Sequence, residues 1–263
     1  MTRAAALGPG RLNRNALAGA ARRAARWRYG AAADAFKAAA WAALLATLCA
    51  AGSGLGLGAA SADGATRPLR LMVLGDSLAA GYGLANADGF VPRLEAALRA
   101  EGYDVLVIGA GVSGDTSAGG LARLPWLLSA PAQEQPDAVM VELGGNDGLR
   151  GLDPQAMERN LDAILTLLAD RNLPAMLAGM KAPPNLGADY GRSFAAVFPR
   201  LADKHDVPLY DFFLEGVAAD PALNQADGIH PNAAGVQVIV RLILPATKAF
   251  LDSVKASTAA AGR

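Results

Sequence analysis

"LRLMVLGDSLAAGYGL", residues 69–84, opens as an apolar run and then breaks into small and polar residues around one Asp-Ser pair. The run Leu69–Leu74 is too short for a helix and ends against a glycine, so it reads as a buried strand. Asp76 and Ser77 then fall on the turn that follows, where core packing asks for no serine. The bland reading is a cap, because Ser commonly starts a helix. What lies on either side decides between that reading and chemistry.

Four more short apolar runs follow, at Val105–Ile108, Ala138–Leu143, Ala175–Leu177 and Val207–Tyr210, each bounded by Gly, Pro or Asp. Helical periodicity occupies the intervals: Val91–Ala100, Ala118–Leu128, Pro154–Ala169, Tyr190–Lys204 and Ala233–Val254. The clearest is "DPQAMERNLDAILTLLAD" (153–170), with Asp153 as N-cap, Pro154 at the first helical position and Leu161, Ile164, Leu165 and Leu168 on one face. Strands alternating with helices predict an α/β fold: three layers, α/β/α, around a five-stranded parallel sheet in flavodoxin-like order. Such a sheet binds its ligands beyond the carboxyl ends of the strands. "KAPPNLGAD" (181–189) is a loop of the kind that edges a binding site, whereas "SAPAQEQPD" (129–137) reads as a surface connection.

Upstream the composition changes. Residues 1–37 carry eight basic side chains against the single acid Asp34, then an Ala- and Leu-rich stretch ends in Ala60-Ser61-Ala62. Basic, apolar, small-residue site is the order of an export signal, so residues 1–62 are expected to be one and residues 63–263 the mature domain. The alternative is a retained membrane anchor facing the periplasm; a start codon further downstream also stays open. Arg22-Arg23 lacks the flanking residues of a twin-arginine signal. Residues 63–263 keep an acidic excess of seven, which argues against nucleic acid as partner. The one cysteine, Cys49, lies in the signal stretch, so the domain would carry no thiol, as suits a periplasmic or secreted protein.

Three other segments bear on Ser77. "GVSGDTSAGG" (111–120) follows the second strand, "VELGGNDGLRG" (141–151) spans the end of the third, and "DGIHPN" (227–232) precedes the last helix. All would reach the same rim as Ser77, although Gly, Asn and Asp are also ordinary turn formers. The chain has two histidines. His205, in "ADKHDVP", reads as a solvated surface residue. His230 has Asp227 three positions before it on a Gly- and Pro-bounded turn. A serine hydroxyl is a weak nucleophile near neutral pH and needs an imidazole to take its proton; a carboxylate then fixes the imidazole's tautomer. The oxyanion formed on attack needs donors in place, here the amides of Ser77 and Gly114 and the side-chain amide of Asn146.

Taken together, "GDSL" (75–78), "GVSGDT" (111–116), "GGND" (144–147) and "DGIHPN" (227–232) resemble the four blocks of the SGNH, or GDSL, hydrolases, in family order. The resemblance spans most of residues 69–251, including "GLRGL" (148–152) and "MKAPPNLGADYGRSF" (180–194), and is closest to the bacterial periplasmic arylesterase, acyl-thioesterase and lysophospholipase branch. It implies a flavodoxin-like fold, a catalytic set of Ser77, Asp227 and His230, an oxyanion hole of Ser77, Gly114 and Asn146, and no metal or other cofactor. It also implies that the 181–191 loop flanks the acyl chain, with Leu78, Leu149 and Pro184 as substrate contacts. Expected substrates are aryl esters, acyl thioesters or lysophospholipids, with acetylated carbohydrates or non-catalytic lipid or glycan binding as alternatives. Membrane contact is expected only through an uncleaved N-terminal segment. One departure is Gly109-Ala110-Gly111, where many relatives read Asn-Ala-Gly.

Gly109, Gly111 and Gly114 also spell a dinucleotide-binding G-x-G-x-x-G. Against it, Asp115 would place a carboxylate where the pyrophosphate should sit. The acid at the end of the next strand, Glu142, also comes too late in the chain. G-x-S-x-G is absent, which excludes the nucleophile elbow of the α/β-hydrolase fold.

Overall fold

The computed structural model describes residues 67–261, so the expected export signal at residues 1–62 lies outside the described residues. Five parallel strands, β1 (Leu69–Gly75), β2 (Val105–Gly111), β3 (Ala138–Glu142), β4 (Ala175–Ala178) and β5 (Leu209–Tyr210), form one sheet in the order β2-β1-β3-β4-β5. This is the doubly wound order expected from the alternation of elements. Every residue of β3 and β4 is buried, as a strand covered on both faces requires. The register aligns Gly75 with Gly111 on one side and with Glu142 on the other. Three strands therefore stop at one level, and the segments that follow them open onto one rim.

Connecting the strands are α1 (Ser77–Ala80), α2 (Phe90–Ala100), α3 (Ser117–Leu127), α4 (Gly145–Leu149), α5 (Pro154–Ala169), α6 (Ala188–Ala195), α7 (Val197–His205) and α8 (Ala233–Ala261). α2 packs with α8, while α3, α5 and α7 pack as a second group. α5 starts as its sequence dictates: the Asp153 side chain accepts from the Gln155 amide at 3.0 Å, and Met157, Leu161, Ile164, Leu165 and Leu168 are buried. Each such side chain contributes about 1.5–3 kcal/mol by leaving water. α8 is long and apolar enough to cross a membrane, yet Val236, Ile239, Val240, Ile243, Phe250, Leu251 and Val254 are buried against this domain, so it serves as a core helix. Asn232, the last residue of "DGIHPN", caps it by accepting from the amides of Ala234 and Gly235, both at 3.0 Å.

Three expectations need correction. The single helix expected over Tyr190–Lys204 is two, α6 and α7, parted at Ala196. Pro199 is the cause: in an unbroken helix its ring would meet the Ala195 carbonyl, whereas third in a new helix it lacks only an amide hydrogen that has no partner there. β5 is two residues long, because Pro208 cannot donate to the ladder; its carbonyl still accepts from Leu177 at 2.8 Å. His205 is not a solvated residue. Its side chain is 12% exposed, and its Nε2 lies 2.6 Å from Asp162 Oδ1, with Lys204 on the same carboxylate at 2.7 Å. The Lys204 ammonium first, and His205 next, hold the Asp162 carboxyl below its ordinary range and tie α7 to α5.

Candidate active site

Ser77 is the first residue of α1, directly beyond the rim end of β1, and is 7% exposed. The cap of that helix is Asp76, whose Oδ1 accepts from the Leu78 amide at 2.9 Å, so the serine hydroxyl is not used as a cap. Instead Ser77 Oγ lies 2.9 Å from His230 Nε2. His230 Nδ1 lies 2.7 Å from Asp227 Oδ2, while Asp227 Oδ1 accepts from the amides of Ile229 and His230 at 2.9 and 3.0 Å. These two amides, the His230 one foremost, and then the ring hydrogen bond hold the Asp227 carboxyl down to about 2, although the side chain is 39% exposed. A carboxylate kept charged at one end of an imidazole, with a hydroxyl at the other, is the arrangement that activates serine.

Tyr82 lies against the imidazole, ring centroids 4.6 Å apart and planes tilted by 39°. Gln225 steadies both, donating from Nε2 to the carbonyls of Tyr82 at 2.7 Å and Pro231 at 3.0 Å. Neither residue stood out in the sequence; only their position in the fold identifies them.

The three expected oxyanion donors come from three separate segments. Among the described residues, the amides of Ser77 and Gly114 donate to no protein acceptor. Gly114 has φ +85°, a left-handed conformation suited to glycine, and its carbonyl is held by Arg150 Nη2 at 2.8 Å. Asn146, in α4, spends both Nδ2 hydrogens: one on Asp76 Oδ2 at 3.0 Å, one on the Asp115 carbonyl at 2.9 Å. Below them Asp147 is buried, accepting at Oδ2 from the Ser117 amide (2.8 Å) and at Oδ1 from its hydroxyl (2.6 Å), which joins the start of α3 to α4. Asp115 pairs with Arg123 at 2.6 Å, and Arg123 also reaches the Gly75 carbonyl at 2.8 Å.

Two acids beneath Ser77 were given no role at this site from the sequence. Asp76 and Glu142 are buried, and the Asp76 amide donates to Glu142 Oε2 at 3.2 Å. Glu142 Oε1 has no hydrogen-bond partner among the described residues. Burial, then the neighbouring Asp76, pushes the Glu142 carboxyl well above its ordinary value; burial pushes Asp76 up to about 6. The room comes from Gly75, where a Cβ would collide with Glu142 Oε2 and lie 2.6 Å from Ala79 Cβ.

Beside Ser77 opens a cleft of about 440 Å³. Leu78, Leu149 and Pro184, the expected substrate contacts, line it together with Met180, Leu214 and Ile229. The far wall, Phe212–Ala219, gave no signal in the sequence because it has neither periodicity nor a motif. Gly109 lies within β2, with its missing Cβ facing Val91 at 3.6 Å, so that departure touches no site residue. Gly111 serves packing: a Cβ there would lie 2.5 Å from the Ala80 amide nitrogen, so the G-x-G-x-x-G spacing marks a close approach of β2 to α1.

Parallel flavodoxin-like sheet, serine, imidazole and carboxylate in relay, and an apolar cleft beside them define a carboxylic ester hydrolase of the serine type. Residues 73–238 match the model of the GDSL-like Lipase/Acylhydrolase family, and the chain belongs to that family. It is 43% identical over 181 residues to Esterase TesA of Pseudomonas aeruginosa, covering 69% of this chain and 89% of the relative. To the Thioesterase 1/protease 1/lysophospholipase L1 of Escherichia coli K12 it is 45% identical over 162 residues, 62% of this chain and 75% of the relative. Among solved structures, AlinE4, described as an SGNH-hydrolase family esterase, superposes with a TM-score of 0.59 at 46% identity, covering 69% of this chain and 95% of that one.

Proposed function

We propose that Ser77, His230 and Asp227 hydrolyse acyl esters and thioesters through an acyl-enzyme, with the acyl chain in the 440 Å³ cleft. Ser77 Oγ attacks the acyl carbonyl carbon while His230 Nε2 takes the hydroxyl proton. The carbonyl oxygen becomes an oxyanion among the amides of Ser77 and Gly114 and the carboxamide of Asn146. As the intermediate collapses, the departing alcohol or thiol receives the proton from His230, and Ser77 carries the acyl group. Water, deprotonated by His230, attacks the acyl carbon in its turn; the acid leaves and the proton returns to Ser77 Oγ. Asp227 stays ionised throughout and stabilises the imidazolium. The observation that carries this reading is the continuous relay of 2.7 and 2.9 Å through His230 to Ser77.

Apolar walls around the cleft favour lipid-like acyl chains over acetylated sugars, which would need polar partners. The reading therefore extends to aryl esters, acyl thioesters and lysophospholipids, classes that the names of its relatives also contain. Residues 63–263 should hydrolyse p-nitrophenyl esters with chelator present, and a fluorophosphonate should label Ser77. Turnover that survives Ser77→Ala would refute it. The basic, apolar, Ala-x-Ala order of residues 1–62 supports export, with activity in the periplasm or medium. Cell fractionation with amino-terminal sequencing of the active species tests this; activity confined to the cytosol would overturn it.

A further inference from the structure

Asn146 serves an oxyanion only if the nitrogen end of its carboxamide faces the acyl carbonyl. The two ends of a carboxamide have nearly the same shape, so packing alone does not choose between them; a half-turn about Cβ–Cγ would aim an oxygen at the developing charge. Hydrogen-bond partners have to choose. Asp76 Oδ2 and the Asp115 carbonyl are both acceptors, and both are met by Nδ2, at 3.0 and 2.9 Å. The Asp115 carbonyl is a single backbone group on a solvent-facing loop. Asp76 is a buried carboxylate with both oxygens in use, Oδ1 on the Leu78 amide and Oδ2 on Asn146. We propose that Asp76 is a positioning residue for ester hydrolysis: by accepting one Nδ2 hydrogen it fixes which end of Asn146 faces the substrate, and Glu142, which accepts the Asp76 amide, keeps it in place.

The same bonds set up the other donor on this segment. Asp76 Oδ1 takes the Leu78 amide, which leaves the Ser77 amide as the one beside the hydroxyl that has no protein acceptor among the described residues. Both Nδ2 hydrogens have protein acceptors, so a forming oxyanion competes with Asp76 Oδ2 or the Asp115 carbonyl for one of them, and with the nitrogen end already on that side the carboxamide need not turn end for end. Preorganised donors of this kind do most when nothing must move as charge develops. Other ionisable groups around Asp76 are Glu142 of β3, Asp115 of the loop after β2 and His230 of the segment before α8; His230 and Asp115 bear on its charge, and Asp76 in turn bears on that of Glu142.

This inference rests on the serine-hydrolase reading, and one set of proteins separates the two. Wild type, Asp76→Asn, Asn146→Ala and the double variant, all in the full chain, are assayed with p-nitrophenyl butyrate for kcat and KM separately. Asn146→Ala should lower kcat by about 10²–10³, the usual cost of losing one oxyanion donor. Asp76→Asn turns an amide nitrogen toward Asn146 in place of an acceptor, so kcat should fall more than about tenfold while KM moves less than about threefold. The double variant should sit within about threefold of Asn146→Ala alone, because a residue acting through Asn146 has nothing left to act on. Losses that multiply, or an Asp76→Asn effect confined to KM, overturn the inference. Should Asp76→Asn not fold, Asp76→Ala carries the same cycle; both failing, by near-UV circular dichroism, would assign Asp76 to the fold alone and overturn it too. Wild type that hydrolyses no ester overturns the hydrolase reading along with it, whereas an active wild type with multiplying losses overturns only the role of Asp76.

Discussion

Replacing Asp76 by Asn should also change how the stability of the domain depends on pH. Burial pushes the Asp76 carboxyl from 3.8 up to about 6, against the pull of the Leu78 amide, the Asn146 carboxamide and the His230 charge. Below 3.8 the group is protonated in folded and unfolded chains alike and does not affect the balance between them. Between 3.8 and about 6 the unfolded chain releases the proton while the folded chain keeps it, so stability falls as pH rises. Above that window the loss is complete and constant, and the gap between the two values corresponds to about 3 kcal/mol. An Asn at 76 does not titrate. The unfolding free energy of the variant minus that of wild type should therefore move about 2.4 kcal/mol in the variant's favour from about pH 4 to about pH 7, whatever constant offset the altered hydrogen bonds impose. Glu142 acts in the same direction, because an ionised Asp76 is one cause of its raised value. Urea titrations at about pH 4, 5, 6 and 7, with matched m-values, measure this difference. A difference that stays flat across the range, or that grows in favour of wild type, would show that Asp76 does not hold its proton in the folded chain.

Asp227→Asn should lower kcat by about 10⁴ through loss of the correct imidazole tautomer, with KM little changed; a decrease under tenfold in steady-state assays would exclude Asp227 as the orienting acid. Since the Asp227 carboxyl is held down to about 2, the acid limb of the wild-type kcat profile should not reflect its protonation, and a limb that disappears in Asp227→Glu would contradict this. Gly75→Ala places a methyl group against Glu142 and 2.6 Å from Ala79 Cβ, so chemical denaturation should show a loss of about 1–3 kcal/mol, and an unchanged midpoint would mean the contact relaxes freely. Leu214→Trp fills the wall of the cleft and should shift preference toward shorter acyl chains in a p-nitrophenyl ester series; an unaltered profile would place the chain elsewhere.

The sheet and its rim were legible from residue order because both depend on local pattern. Apolar runs too short for helices had to be strands, and glycines ending three of them marked where the chain turns outward. Ser77, Gly114, Asn146, Asp227 and His230 could be named because four segments, each explicable alone as a turn or a cap, occur together in the order of the SGNH blocks. Reading of the same kind failed at Tyr190–Lys204, where periodicity continues through Pro199 although the backbone cannot, and at His205, whose charged neighbours concealed a partner 43 residues away.

What tertiary structure alone decided is depth and pairing. Asp76 and Glu142 are 66 residues apart, and nothing local to either foretells that both are buried with one amide hydrogen between them. The register of β1 on β3 brings them together, and the absent side chain of Gly75 lets them meet. Which acceptors claim the Asn146 hydrogens, that Tyr82 lies on His230, and that Phe212–Ala219 closes the cleft follow from the same cause. Sequence periodicity says which face of an element is apolar, but a contact between side chains far apart in the chain exists only once several elements have been packed at a definite height and angle.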